Sequence, residues 1–318
     1  MKAPLLVATL CAACVLPAAA GDFVPGGNAS ALARSFALPA LGDARVLKSG
    51  EGDLRTTLDF ANEYVKEGAC PLECILLDGE TARLSLNYRY GLGSGWELGA
   101  NLPVLNRSGG VLDGWIQQWH GWFGLPTGGR EQAADGQYHF RYQHNGVTEL
   151  DVTETGTCLG DASITVGRAL GWDASLRGMA KLPTGDAQGL CGGNAGGALW
   201  FDAALPVPGP WSAFVAAGYS MNARSDVLGD QQNRGVPFGG AGLLLPLTDD
   251  VRIHAQIQLH GRLYKGSSLS PLERIGAPLT LGLNIRASKR VELDLGFQED
   301  PSVNASPDFN AYLSLRWN

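Results

Sequence analysis

The feature that most constrains this chain is a long, strict two-residue alternation of apolar and polar side chains. Between 251 and 264, Val251, Ile253, Ala255, Ile257, Leu259, Gly261 and Leu263 fall on one face, opposed by Arg252, His254, Gln256, Gln258, His260, Arg262 and Tyr264. The pattern recurs at 81–90, 279–287 and 290–298. Soluble strands usually run about 5 or 6 residues, whereas a tilted strand crossing hydrocarbon needs about 9 to 11. Twelve such segments can be placed, at 54–65, 80–90, 95–106, 159–170, 172–183, 195–206, 210–221, 236–247, 250–264, 276–287, 290–298 and 309–317. The expected fold is all-β: a transmembrane antiparallel barrel of about twelve strands spanning 54–318.

Composition agrees with strands and turns. The 318 residues include 44 glycines, far above the usual ~7%, and only 17% are charged against an ordinary ~25%. So much glycine would weaken helix interiors. A net charge of −7 without Lys/Arg clusters argues against nucleic acid as a partner, and an ordinary apolar fraction argues against disorder.

Lys2, the uncharged stretch Leu5 to Leu16 and the small residues Ala18–Ala20 before Gly21 read as a cleaved signal peptide over 1–20. Cys14 as a lipidation site is weaker, because Cys11 stands where Leu is expected. No later window offers ~20 consecutive apolar residues, so membrane crossing by helices is excluded. Residues 21–53 are expected as a periplasmic or lumenal segment.

Connector lengths alternate. The short ones are 91–94, 171–172, 207–209, 248–249 and 288–289; the long ones are 66–79, 107–158, 184–194, 222–235, 265–275 and 299–308. With the N-terminus periplasmic, every short connector lies inside and every long one outside, the arrangement of bacterial outer-membrane barrels. Tyr90, Trp96, Trp172, Trp211 and Trp317 then gather at the periplasmic ends as an interfacial girdle. The last strand alternates Phe309, Ala311, Leu313, Leu315 and Trp317 with Asn310, Tyr312, Ser314 and Arg316. It resembles the signal read by the barrel assembly machinery, with Asn318 in the final place where Phe or Trp is usual.

The longest connector carries Ser108-Gly-Gly-Val-Leu-Asp113-Gly-Trp115-Ile116, then His120 and Phe123-Gly-Leu-Pro-Thr-Gly-Gly-Arg130. This string resembles an uncharacterised proteobacterial outer-membrane family of unknown function. Leu159-Gly160-Asp161 and Lys181-Leu-Pro-Thr-Gly-Asp186 resemble that family and also barrels of the phenol-degradation meta-pathway group. The resemblance implies a barrel and transfers no catalytic residue.

Within that connector, Val111, Leu112, Trp115, Ile116, Trp119 and Phe123 fall at helical spacings. Asn145-Gly146 between two alternating runs reads as a β-hairpin. The loop is expected to cap the pore, bind a hydrophobic solute or touch lipopolysaccharide, or else to pack on the barrel wall.

Cys70, Cys74, Cys158 and Cys191 remain after cleavage of the leader. An oxidising compartment favours disulfides, and proximity favours Cys70–Cys74 and Cys158–Cys191 among three connectivities. Metal binding is the alternative, but no His lies near these cysteines in sequence. Lumen-facing charges comprise Arg83, Arg89, Arg177, Lys181, Arg252, Arg262, Arg286 and Arg316 against Glu97, Asp161, Asp173, Asp202, Glu292 and Asp294. They form either a polar pore or a charge network filling a narrow barrel. His254 and His260, with Gln256 between them, are roughly 20 Å apart at ~3.3 Å per residue and cannot share a metal.

No cofactor is expected. No stretch resembles the Ser/His/Asn signature of outer-membrane phospholipases, although Ser267, Ser268 and Ser270 follow His260. The reading is a passive channel or binding protein for small solutes, hydrophobic ones among them, in contact with outer-membrane lipid and lipopolysaccharide. A structural barrel with a plugged lumen and a lipid-modifying enzyme are the alternatives.

Overall fold

A computed structural model describes residues 23–24, 26–42, 45–124, 134–171, 173–301 and 305–318. The expected signal peptide, Trp172 and Arg130 lie outside the described residues, as do the side chains of Trp119, His120 and Phe123. One antiparallel sheet contains β1 (Gly52–Ala69), β2 (Glu73–Gly93), β3 (Trp96–Ser108), β4 (His139–His144), β5 (Val147–Val152), β6 (Gly156–Leu159), β7 (Ser163–Gly171), β8 (Ala174–Lys181), β9 (Gly196–Leu205), β10 (Ser212–Asn222), β11 (Gly235–Pro246), β12 (Val251–His260), β13 (Leu279–Arg286), β14 (Val291–Glu299) and β15 (Phe309–Trp317). Pairing of β2 with β3 and of β1 with β15 closes the ring. Since β4, β5 and β6 lie outside that ring, the barrel has twelve strands.

Closure leaves no unpaired edge, so backbone polar groups are satisfied without water. All twelve expected segments match barrel strands. Their outward residues are apolar yet exposed, as with Leu84, Leu86, Leu98, Ile164, Phe201 and Leu313, which makes an apolar band around the outside. Tyr90, Trp96, Trp211 and Trp317 are exposed at the short-turn end.

Two departures from the expected pattern matter. β1 and β2 are 18 and 21 residues long and join through Cys70–Leu72, so the expected long loop 66–79 is a hairpin rising past the rim. The β4–β5 hairpin pairs with the outer half of β2. Its turn places Asn145 and Gly146 at φ 50° and 78°, the left-handed pair that a two-residue hairpin needs. Strand β12 stops at His260, four residues short of the alternating run: Gly261 N still donates to Pro237 O, but Pro237 has no N–H to return the ladder bond, and the chain leaves the sheet.

Residues 23–24, 26–42 and 45–47 run inside the barrel as an ascending and a descending limb. Going up, Val24 O and Gly26 O accept from the side-chain amides of Gln256 and Gln258, and Asn28 Nδ2 bonds His260 Nε2 at 2.8 Å. A turn of 3-10 helix, Ala31–Ser35, makes the apex, with Ser30 Oγ accepting from Leu32 N. Coming down, Ala37 N donates to Asn222 Oδ1 at 2.6 Å, Leu41 pairs with Gly26, and Leu47 N reaches Glu97.

Two apolar clusters fix this segment. At the long-loop end, Leu32 and Phe36 of the apex join Ile75, Phe140, Tyr142, Leu150, Leu190, Tyr264 and Leu272 in a buried core. Lower down, Phe23 and Leu41 pack on Trp200, Phe214 and Phe238. The inner face of β11 carries Gly240 and Gly242, where a Cβ would meet Leu41 and the Phe214 ring. Glycine there lets the lumenal segment lie against the wall.

Candidate functional site

The interior has a polar side and an apolar side. Along β9–β11 it is apolar and filled by residues 23–24 and 26–42. Along β1–β3 and β7–β8 it is polar, and a cavity of about 260 Å³ remains between wall and lumenal segment. Its lining includes Arg55, Asp59, Arg83, Ser85, Asn87, Asn101, Thr165, Arg177 and Tyr312 from the barrel, with Arg34, Phe36 and Leu38 from the segment.

Towards the short turns, the lumenal charges are joined in a belt. Arg177 on β8 bonds Glu97 on β3, and its Nε lies 3.2 Å from Asp202 on β9. Glu97 receives Arg89 of β2 at 2.7 Å, and Arg89 lies 3.6 Å from Asp53 of β1. Asp53 takes two bonds from Arg316 of β15, at 2.8 and 3.1 Å. Arg316 continues to Glu292 at 3.5 Å, which receives Arg252 at 3.0 Å; Arg252 also donates to Asn284, which donates to Asp294 at 2.6 Å. Buried charges persist only when partnered, and this belt partners them across nine of the twelve strands. Arg45 O accepts from both Arg89 and Arg177, at 2.7 and 3.0 Å, so the belt also holds the descending limb.

Nearer the long loops, Lys181 bonds Asp161 and donates to Arg34 O at 3.1 Å. Asp161 also accepts from the amides of Gly185, Gly193 and Asn194, which ties the 182–195 connector over the lumen. The disulfides Cys70–Cys74 and Cys158–Cys191 are both formed; the second anchors that connector to β6. His254 accepts or donates to Tyr312 Oη at 2.6 Å. The phenol lies over register-paired Gly282 and Gly296, where a Cβ would approach it within 2.2 and 2.6 Å.

Three expected lumenal residues lie elsewhere. Arg262 is 62% exposed and pairs with Glu273 at 2.7 Å, because the chain has already left the sheet at Gly261. Arg286 is exposed on the short-turn rim, and Asp173 is exposed in a turn at φ 54°. Conversely, Asp53, Arg55 and Asp59 of β1 face inwards although the sequence reading did not single them out. Their alternation with Leu54, Thr56, Leu58 and Phe60 carries the same two-residue signal. Arg34, on the lumenal segment, has no such periodicity to reveal it.

The motif loop is built onto the barrel mouth. Helix α1 (Asp113–Phe123) starts where Leu112 N and Val111 N donate to Glu80 at 2.6 and 3.0 Å. Asp113 accepts from Asn62 at 3.1 Å and from Gly136 N at 2.9 Å. Ile116 is fully buried, whereas Trp115 is half-exposed and packs on Phe309 at 5.0 Å. Above it, Glu73 accepts from Tyr142 Oη at 2.8 Å and from the amide and hydroxyl of Ser268 at 3.1 and 2.9 Å. Burial alone would raise the Glu73 carboxyl, but these bonds and one from Ser267 outweigh it and hold the group below its ordinary value. Burial pushes Tyr142 up to about 12. Ser268 and Ser270 thus serve Glu73 and Glu67, while His260 bonds Asn28.

Residues 7–318 match the profile of a family described as Protein of unknown function (DUF3187), and the chain belongs to that family. No curated protein matches the chain. Among solved structures, the COG4313 outer membrane channel from Pseudomonas putida F1 is similar with a TM-score of 0.54 and 11% identity, covering 87% of this chain and 98% of that one. The NanC porin gives 0.44 and 7%, covering 84% and 100%. The P. putida toluene transporter TodX gives 0.41 and 8%, covering 86% and 91%. The first of these likenesses is one of fold.

Proposed function

We propose that this member of the family is an outer-membrane barrel that admits small solutes, a passive channel or solute-binding protein whose resting state is closed by its own residues 23–51. On this reading the short-turn end is periplasmic, the apolar band sits in lipid, and the long-loop end meets lipopolysaccharide. The observation that carries it is the polar cavity left beside the lumenal segment. A barrel built only as a wall gains nothing from an unfilled space lined by charged and amide side chains, because each such group is costly to keep from water.

The experiment compares purified full-length protein with a deletion of residues 26–44 in planar bilayers. Heat-modifiable migration on a detergent gel verifies that both are folded. Discrete conductance that rises on deletion supports a channel closed by the segment. Silence in both forms overturns it.

A second reading, a structural barrel with a filled lumen, is favoured by one observation: Leu32 and Phe36 belong to the same buried core as the outer loops. Lid and plug are then one body, and opening would have to break that core. A lipid-modifying activity has less support, since the candidate serines are engaged by Glu67 and Glu73. Turnover of lipid by the pure protein would revive it.

A further inference from the structure

We infer that the lumenal cavity is a binding site for a small organic carboxylate, anchored by Arg83; this rests on the reading above that solutes enter the lumen. The argument begins with the cations that line the cavity. Arg89 and Arg177 are committed to Glu97 and its neighbours in the belt, and Lys181 to Asp161. Arg55 donates to Phe23 O at 3.0 Å, and Arg34 to Leu190 O and Ala29 O at 3.1 and 3.3 Å. Arg83 is different. It lines the same cavity and makes no hydrogen bond or ion pair among the described residues.

A guanidinium presents several N–H donors in a planar fork that matches the two oxygens of a carboxylate. Half-buried at the wall of a cavity, with the belt's partners already taken, such a fork is ready to donate to an incoming anion. Arg34 lies within electrostatic reach of it and adds positive potential. The group of opposite sign that faces Arg83 is Asp59, its register partner on β1, which acts on it without forming an ion pair.

The rest of the lining describes the ligand's body. Ser85, Asn87, Asn101 and Thr165 continue the polar wall, whereas Phe36, Leu38 and Met179 make an apolar surface opposite. Charge at one end and an apolar body select an organic acid over an inorganic anion. At about 260 Å³ the space falls below the ~300–1,000 Å³ typical of drug-sized ligands, which restricts it to monocarboxylates of about the size of benzoate.

The test is calorimetric titration of the folded, detergent-solubilised full chain with benzoate, benzyl alcohol and inorganic phosphate. Benzoate is expected to bind at least about tenfold tighter than either of the others. Arg83→Gln should abolish that preference and leave benzyl alcohol unchanged. Asp59→Asn should tighten benzoate by removing the competing carboxylate, and this variant decides the matter if Arg83→Gln fails to fold. Absence of benzoate binding, equal binding of the alcohol, equal binding of phosphate, or no response to either substitution would overturn the site. Bilayer conductance of the same preparation reads the channel function separately. A conducting barrel indifferent to benzoate refutes the carboxylate site alone, whereas a benzoate-binding, non-conducting one refutes the channel alone.

Discussion

The backbone amide of Leu47 donates to the carboxylate of Glu97 at 2.9 Å, a contact between the exit of the lumenal segment and the wall of the barrel. Glu97 is 1% exposed and also holds Arg89 and Arg177, whose guanidinium groups share Arg45 O. One carboxylate therefore secures both the charge belt and the limb that descends through the lumen. Replacing it with alanine leaves two buried guanidinium groups short of a partner, which costs about 3–5 kcal/mol. Glu97→Ala should lower the temperature at which the barrel loses its fast-migrating folded form, and should render a cysteine placed at the buried Leu47 more reactive to thiol reagents. Unchanged heat-modifiability and labelling would show that the belt does not hold the segment.

Phe36 sits in the core at the long-loop end, edge-on to the Tyr264 ring at 5.4 Å. Truncating a buried phenylalanine costs about 3–5 kcal/mol. Phe36→Ala should loosen apex and loops together. Hydrogen exchange is expected to rise both at 31–35 and across β4–β5, while the membrane-facing strands stay protected. Faster exchange confined to the apex would mean that the loops close the mouth without it.

The bond Cys158–Cys191 closes a separation of 33 residues, and loops of this order contribute about 2–4 kcal/mol. Intact protein should show no free thiol, and digestion should release peptides linking Cys158 to Cys191 and Cys70 to Cys74. After reduction, protease should cut within 182–195 first. Labelling of all four thiols without reductant would refute the pairing.

Glu73 gives a pH dependence with a definite sign. Its carboxyl is held below the ordinary 4.5, so its contacts with Tyr142 and the Ser268 amide contribute in full above that value. They are lost as the pH falls through the lower, folded-state value. Protection of the Ser268 amide from exchange should be flat above about pH 4.5 and decline below it, and Glu73→Gln should remove the decline. Because Glu73 is substantially open to solvent, the change should be local rather than global.

The fold and parts of the site were legible to different degrees. Alternation in 81–90 or 279–287 is a local property: a pleated strand sends every second side chain to the same face, so the facing of Arg89, Arg252 or Asp294 can be read from a few neighbours. The same rule would have found Asp53, Arg55 and Asp59, whose polar face ran unremarked beside Leu54 and Phe60. Residues 236–245 held a further sign. Val236, Phe238, Gly240, Gly242 and Leu244 make the inner face of β11 apolar, which a water-filled lumen would not favour; something had to cover it.

What the sequence alone determined, then, is the strand ladder and its closure. Strand length against bilayer thickness, alternating connector lengths and the spacing of four cysteines are all constraints between near neighbours or between ends that a hairpin brings together. Only the tertiary structure decided the rest. The lumenal path of 23–51 depends on pairs such as Asn28 with His260, which are 232 residues apart and follow no period. Arg262 left the lumen because the partner strand offers Pro237, which has no N–H to continue the ladder past Gly261, an event that the alternating pattern runs through without a break. Arg89 has Glu97, Asp53 and Arg45 O within reach, and Arg83, six residues away on the same strand, has none of them as a partner. That difference is set by the register of β2 on β3, which puts Arg89 opposite Gly99, two residues from Glu97, and Arg83 opposite Leu105.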